Sequence, residues 1–432
     1  MNEHSFLALK FEQLLPSKAQ ATITVEKPYI ATLYREILLK QKKDARIQGF
    51  SQGSVPISYL EKTFRIPILE HLQGFLLSSC ILNYLFDQLA HNKVVMVGQP
   101  SLSSVTIDPE QPASFVFEFT TAPAKINNEW EKLSFRAPSR KNYRDLDKQV
   151  EFFFKEEAER TSKPLPDCIS LDDWICFSVQ PADAEQKSLL GEYKDILWMK
   201  VGDEETDEEA QQIFLGKKVG DSFITQATFL QDYVNNTFSS PYFFVVTIIN
   251  RSPNQIFCFD SFKKHFKLKT ARDLHLKFIE VFSYRHDVSQ RRETVEATLK
   301  SLVRHHQFTI PEHLVMQQRE ILLKLVHLNP DYYVYKAQTD FKEKITMLAE
   351  KQLKELIVID SLSYKENIQV TQDDIMGYIN LMKRPRTKEF IYFSLTSTKT
   401  YGKEVPISQE VMRQQCLREK TLNYVINRLT KK

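Results

Sequence analysis

Only ten of the 432 residues are glycine, so the chain has few positions free to adopt left-handed turns or close backbone approaches. That scarcity favours long regular elements over the loop-rich face of an enzyme. Two of the ten stand four residues apart at 49 and 53, within RIQGFSQGSVP at residues 46–56, and Phe50 lies between them. Glycines placed so closely in a glycine-poor chain mark a tight tip that pushes its neighbours outward.

A length of 432 residues predicts roughly three domains. Charged residues make up 26% and aromatic residues 12%, a balance that excludes extended disorder. The net charge of +3 does not mark a general nucleic-acid binder, so any basic surface is local. Five cysteines, with no Cys-x-x-Cys pair, argue against a disulfide framework and a zinc site and for a reducing compartment. The start has no basic segment leading into an apolar core. The most apolar run, FLLSSCILNYLF at 75–86, is shorter than the roughly 20 residues needed to span a bilayer. These features predict a cytoplasmic protein.

Along the chain, QATITVE alternates like a strand, and Pro28 then opens a helix at its first turn. Ile30, Leu33, Tyr34, Ile37 and Leu38 form one apolar stripe on that helix. Lys40, Lys42, Lys43 and Arg46 crowd its end. After the glycine tip comes a second helical region interrupted at Pro67, and then the strands KVVMVGQP and ASFVFEFTTAP. This predicts an α+β unit with helices on an antiparallel sheet over 1–125. A charged linker with one helix, closed by Pro164 and Pro166, occupies 126–166. A strand-rich unit follows at 167–251, marked by DDWICFSVQ, SFITQATF and PYFFVVTIIN, with GKKVGDS as a turn. The acidic run GDEETDEEA lacks the spacing of a calcium loop and reads as a solvated loop or helix start. The remainder, 252–432, is helical, with capping boxes expected at Thr309/Glu312 and Thr371/Asp374.

No nucleotide loop, dinucleotide fingerprint, Ser-hydrolase elbow or His-Glu-x-x-His motif is present. His305 and His306, adjacent on a helix, point about 100° apart, a poor arrangement for one metal. No cofactor and no metal are expected.

Several motifs in order resemble those of the trigger factor family. The family carries a loop of Arg, Val or Ile, any residue, Gly, Phe, Arg, any residue, Gly, Lys, any residue and Pro. Here Arg46, Ile47, Gly49, Phe50, Gly53 and Pro56 match it, while Ser51 and Ser54 replace its second Arg and its Lys, and Gln52, at the variable position between them, stands in place of a further family lysine. ATFLQDY, FTIPEHLVMQQREILL and IQVTQDDIMGYI resemble three further family segments. The resemblance implies an N-terminal ribosome-docking domain, an FKBP-like middle domain and all-helical C-terminal arms. It implies an ATP-independent chaperone at the exit tunnel, with Arg46, Gly49, Phe50, Ser51, Gln52, Gly53 and Pro56 docking on a large-subunit protein and rRNA. Phe177, Phe229, Tyr233 and Phe244 match the prolyl-pocket aromatics. The pocket's usual Ile-Pro-Gly turn is replaced by DEETDEEAQQIF, so isomerase activity is expected to be weak or lost.

Nascent or unfolded polypeptides are the implied clients, with Met316, Leu328, Tyr332, Tyr333 and Tyr335 as arm contacts. Neither DNA nor a membrane is an expected partner, and homodimerisation off the ribosome is implied. The alternatives are an active folding prolyl isomerase and a ribosome-free holding chaperone.

Overall fold

The structure, a computed structural model, describes residues 6–122, 128–139, 144–162, 165–306, 308–327, 330–395 and 398–430. Strands β1 (Leu7–Leu15) and β2 (Lys18–Val25) precede helix α1 (Lys27–Asp44), with Pro28 in its first turn. The stripe Ile30, Leu33, Tyr34, Ile37 and Leu38 is buried as the spacing predicts. Helices α2 (Ile57–Thr63) and α3 (Arg65–Leu76) follow. The break falls at Phe64, which places Pro67 in the first turn of α3, where its missing N–H does little harm. A π-helical turn at Leu77–Ile81 joins α3 to α4 (Leu82–His91).

Strands β3 (Met96–Thr106) and β4 (Ala113–Thr121) complete a four-stranded antiparallel sheet of order β1-β2-β4-β3. Its register sets small against large: Ala21 faces Phe117 and Ala19 faces Phe119, all buried under the helices. Such alternation fills the layer without strain. Pro100 is tolerated because β3 lies at the sheet edge.

Helix α5 (Arg144–Thr161), read from sequence as a linker helix, packs Val150 and Phe153 into an aromatic core with Phe257, Phe262 and Phe278. Its Glu157 is buried and takes a bidentate bond from Arg384, at 2.6 and 2.9 Å. Pro164, expected to close the linker, lies outside the described residues.

The middle unit comprises β5 (Trp174–Ala182), β6 (Asp195–Lys200), α6 (Glu208–Phe214), β7 (Ser222–Thr225), α7 (Thr228–Tyr233) and β8 (Phe243–Ser252). The acidic run is a helix start, a 3-10 turn at Glu205–Asp207 leading into α6.

The helical body holds α8 (Phe259–Phe266), α9 (Ala271–Phe282) and α10 (Gln290–His305). Between α9 and α10, β9 (Tyr284–Arg285) and β10 (Val288–Ser289) form a hairpin whose turn residues His286 and Asp287 both have positive φ. The arm contains α11 (Glu312–His327), α12 (Tyr332–Lys336) and α13 (Phe341–Lys365). Next come α14 (Gln372–Met382), α15 (Pro385–Lys388), the β11 (Lys399–Thr400) and β12 (Lys403–Glu404) hairpin, β13 (Ile407–Ser408) and α16 (Gln409–Thr430).

The capping box at Thr371 and Asp374 is present. The His305 and His306 pair is not fully solvated, because His306 is buried with its Nδ1 2.8 Å from the Leu302 carbonyl.

Strand β13 pairs with β6, so the middle sheet has five strands in the order β13-β6-β5-β8-β7. Trp174 and Trp198 on this sheet pack on Ile375, Tyr378 and Ile379 of α14. The opposite face shares one continuous core with the first unit. The architecture is α+β and multidomain.

Candidate functional site

The tip at 46–56 is built on two buried feet, Ala45 and Val55. Gly49 and Gly53 have φ of +92° and +81°, and a Cβ at either position would meet nothing within 4 Å. Glycine is therefore required by backbone conformation and not by crowding. Two turns close the loop, Phe50 N–H to the Ile47 carbonyl and Ser54 N–H to the Ser51 carbonyl. Phe50 is 40% exposed, and its ring lies 5.6 Å from that of Tyr59. Ile57 is exposed on the same short helix, α2.

Ser51, Gln52 and Ser54, which replace the family's cations, instead brace the tip. Ser51 Oγ donates to Ser54 Oγ at 2.9 Å, and Gln52 Nε2 donates to the Lys43 carbonyl at 3.0 Å. Pro56 is the residue before α2. Arg46 and Lys43 are exposed beside the tip.

Lys40, of the basic group at the end of α1, faces the middle unit and not the tip. Its ammonium lies 4.2 Å from the centre of the Tyr242 ring and donates to the Pro241 carbonyl. Burial pushes its pKa down to about 8.

Lys40 belongs to a clasp between the first and middle units. Asp44 accepts from the Ser240 N–H and hydroxyl, both at 2.8 Å. His71 on α3 is buried, with Nε2 2.9 Å from the Tyr242 hydroxyl and Nδ1 2.7 Å from the Thr237 hydroxyl. Its ring lies 4.2 Å from that of Phe238. Phe75, one turn further along, meets Tyr242 at 4.9 Å. Asn83 on α4 donates its amide to Asp195 at 2.9 Å and to the Tyr233 hydroxyl at 3.1 Å. Tyr233 donates to the same Asp195 oxygen at 2.5 Å. Burial raises the Asp195 carboxyl to about 7, against the opposing pull of these bonds.

Of the aromatics matched to a prolyl pocket, Phe177, Phe229 and Phe244 are buried in the core, and Tyr233 is half-buried in the bond to Asp195. Phe214 sits among them, 5.2 Å from Phe177 and 6.3 Å from Phe229. That phenylalanine ends the segment DEETDEEAQQIF, whose helix drives it inward. The acidic residues of the same segment hold the β11–β12 hairpin. Glu204 pairs with Lys399, Glu209 pairs with Lys403, and Asp207 accepts from the Glu404 N–H at 2.8 Å. The segment therefore joins the middle unit to the helical body.

On the arm, Leu314, Val315 and Leu322 of α11 pack against Ile345, Ala349 and Leu353 of α13. Beyond that seam Tyr333 is 76% and Val334 65% exposed, and Met316 and Tyr335 are exposed as well. Tyr332 is half-buried against His327 and Tyr333. Leu328 lies outside the described residues. Where the arm meets the first sheet, Val94, Val97, Ile310 and Ile357 line a cleft of about 1370 Å3.

Sequence reasoning did not single out Ile57, Tyr59, Val334, His71 or Asn83. The first two could have been found as apolar residues directly after Pro56 that fit no buried stripe. His71 and Asn83 gave no such signal.

Among the described residues no group of three or more His, Cys, Asp or Glu side chains is placed to hold a metal ion. No described helix is long and apolar enough to cross a membrane.

Comparison with known proteins matches two family models. Residues 7–152 match the bacterial trigger factor protein and residues 280–426 its C-terminus, together more than half of the chain. Trigger factor of Treponema denticola is 23% identical over 425 residues, covering 89% of this chain and 92% of that protein. Trigger factor of Geotalea uraniireducens is 22% identical over 420 residues, covering 89% and 90%. A solved trigger factor chaperone chain, from a study of promiscuous substrate recognition in folding and assembly, aligns with a TM-score of 0.36 and 13% identity, covering 97% of this chain and 99% of that one. The two family models and the near full-length relatives establish that this chain belongs to the trigger factor family of ribosome-associated chaperones.

Proposed function

We propose that this chain is an ATP-independent holding chaperone of the cytoplasm that docks beside the ribosomal exit tunnel through the tip at 46–56. The carrying observation is the tip itself, with Phe50 exposed on a loop fixed by two positive-φ glycines and Ile57 and Tyr59 exposed on the helix that follows it. A rigid apolar projection suits a protein cleft, and Arg46 and Lys43 beside it suit rRNA phosphates. Clients are apolar segments of unfolded or nascent chains. The exposed Met316 of α11 and Tyr333, Val334 and Tyr335 of α12 support that reading, since apolar surface left open to water fits a binding role.

Many weak contacts of this kind let a client leave without an energy source. The middle unit acts chiefly as a scaffold, a reading supported by the burial of Phe177, Phe229 and Phe244 and by Phe214 packed among them.

Co-sedimentation with ribosomes tests the proposal. Wild type is expected in the ribosome pellet, and Phe50→Ala with Arg46→Ala is expected in the supernatant. Equal pelleting of the two proteins refutes docking through the tip. Absence of wild type from the pellet, with aggregation suppression intact, favours a ribosome-free chaperone.

A further inference from the structure

We infer that Asp207 and Glu404 form a carboxyl pair that takes up one proton between them, so that the joint between the middle unit and the helical body tightens as pH falls. Both side chains are buried, at 0% and 2% exposure. Asp207 Oδ1 accepts from the Glu404 N–H at 2.8 Å, which ties the acidic segment to the β11–β12 hairpin. The second oxygens, Asp207 Oδ2 and Glu404 Oε2, are buried and have no donor among the described residues. The two side chains converge over Gly202, where a Cβ would lie 1.9 Å from Asp207 Oδ2 and 3.1 Å from Glu404 Cγ. Glycine is needed there by crowding, because its missing side chain leaves room for the carboxyls. Two buried acceptors side by side are costly when both are charged. One proton removes that cost. The Glu404 carboxyl O–H then donates to Asp207 Oδ2, and an acid bonded to a carboxylate replaces two like charges.

The cations around the pair have other carboxylates to serve. Lys399 pairs with Glu204 and reaches Glu404 at Oε1, 3.7 Å away. Lys200 on β6 pairs with Asp172, and Lys403 pairs with Glu209 of α6. Burial, with the Asp207 charge, holds the Glu404 carboxyl above its ordinary value, against the pull of Lys200 and Lys399. A raised value fixes the sign. The pair's contribution is fully present below the ordinary 4.5 and is lost as pH rises through the folded value. The hairpin that carries Glu404 leads almost directly into β13, the fifth strand of the middle sheet. The pair therefore sets how firmly the helical body holds that sheet. This inference goes beyond docking and holding, and neither depends on it.

Amide hydrogen exchange over residues 399–405 of the full-length protein reads the joint, since the Glu404 N–H is itself bonded to Asp207. Rates are corrected for intrinsic exchange and compared at about pH 7.5 and about pH 5. The wild type should exchange several-fold more slowly at the lower pH. Glu404→Gln keeps the shape and supplies a permanent donor to Asp207 Oδ2, so its protection should be high at both pH values. Asp207→Asn carries the test if that variant fails to fold, because its amide can donate to Glu404 at either pH. Three results overturn the inference. Equal pH dependence in the wild type and the variant places the titrating group elsewhere. Wild-type protection that is the same at both pH values means that both carboxyls stay charged and the lysines balance them. A gain in wild-type protection on adding calcium at about pH 7.5, absent from the variant, makes the pair a cation site.

Discussion

Acidification should loosen the clasp through His71. The ring is 3% exposed, and both its nitrogens are engaged by Thr237 and Tyr242. The Thr237 N–H also points at Nδ1 at 3.4 Å, which makes Nδ1 the acceptor and leaves Nε2–H to donate to Tyr242. A proton added at Nδ1 would meet that N–H in a site that water does not reach. Burial, and secondarily the Lys40 ammonium, push the His71 pKa from 6.5 down to about 4.

The sign follows from the lowered value. The neutral ring's contribution is fully present above 6.5 and is lost as pH falls through about 4. At about 1.36 kcal/mol per tenfold change in proton affinity, the whole effect is roughly 3 kcal/mol. Amide exchange over 233–242, compared between about pH 7 and about pH 4.5 after correction for intrinsic rates, should show the loosening in wild type and much less of it in His71→Gln. Proton NMR of the histidines supplies the direct check. A His71 ring that titrates near 6.5, or identical pH dependence in the two proteins, refutes the reasoning.

Gly49→Ala with Gly53→Ala should weaken ribosome binding markedly while lowering the melting temperature by only about a few degrees. Each alanine is forced to positive φ in open space, at a cost of about 1 kcal/mol or more, confined to an exposed tip; binding equal to wild type would show that the tip tolerates another shape. Phe214→Ala should destabilise the middle unit by about 3–5 kcal/mol, measured as loss of exchange protection in β5 and β8, because a fully buried ring is removed from between Phe177 and Phe229. A loss under about 1 kcal/mol would mean that the segment 203–214 does not hold this core. Tyr333→Ser with Val334→Ser should lower suppression of client aggregation with no loss of thermal stability, since both side chains face water; unchanged suppression would move client binding away from the arm tip.

Local pattern carried much of the fold. The stripe from Ile30 to Leu38, the helix start at Pro28 and the capping box at Thr371 depend on neighbours a few residues apart, and all three are present. Strand β1 was not legible because its burial alternates only in its first half before both faces turn to solvent. Strand β13 is two residues long, and its pairing with β6 spans some two hundred residues, a distance no local pattern encodes.

The candidate site divides in the same way. The tip was legible because glycine spacing reports backbone conformation directly. Lys40 was not, because a cluster of cations does not reveal which of them faces a neighbouring unit. The clasp depends on His71, Asn83 and Asp195, three unremarkable polar residues that acquire meaning only from the packing of one unit on another. The acidic segment was legible as a helix start, but its salt bridges to Lys399 and Lys403 were not.

Photocrosslinking at the tip tests docking most directly. A photoreactive phenylalanine analogue replaces Phe50 in one full-length protein and the equally exposed Ile224, on β7 of the middle unit, in a second. Irradiation with ribosomes should join position 50 to a large-subunit ribosomal protein and leave position 224 unlinked. Crosslinking from 224 with none from 50 would contradict the account and place the ribosome contact on the middle unit.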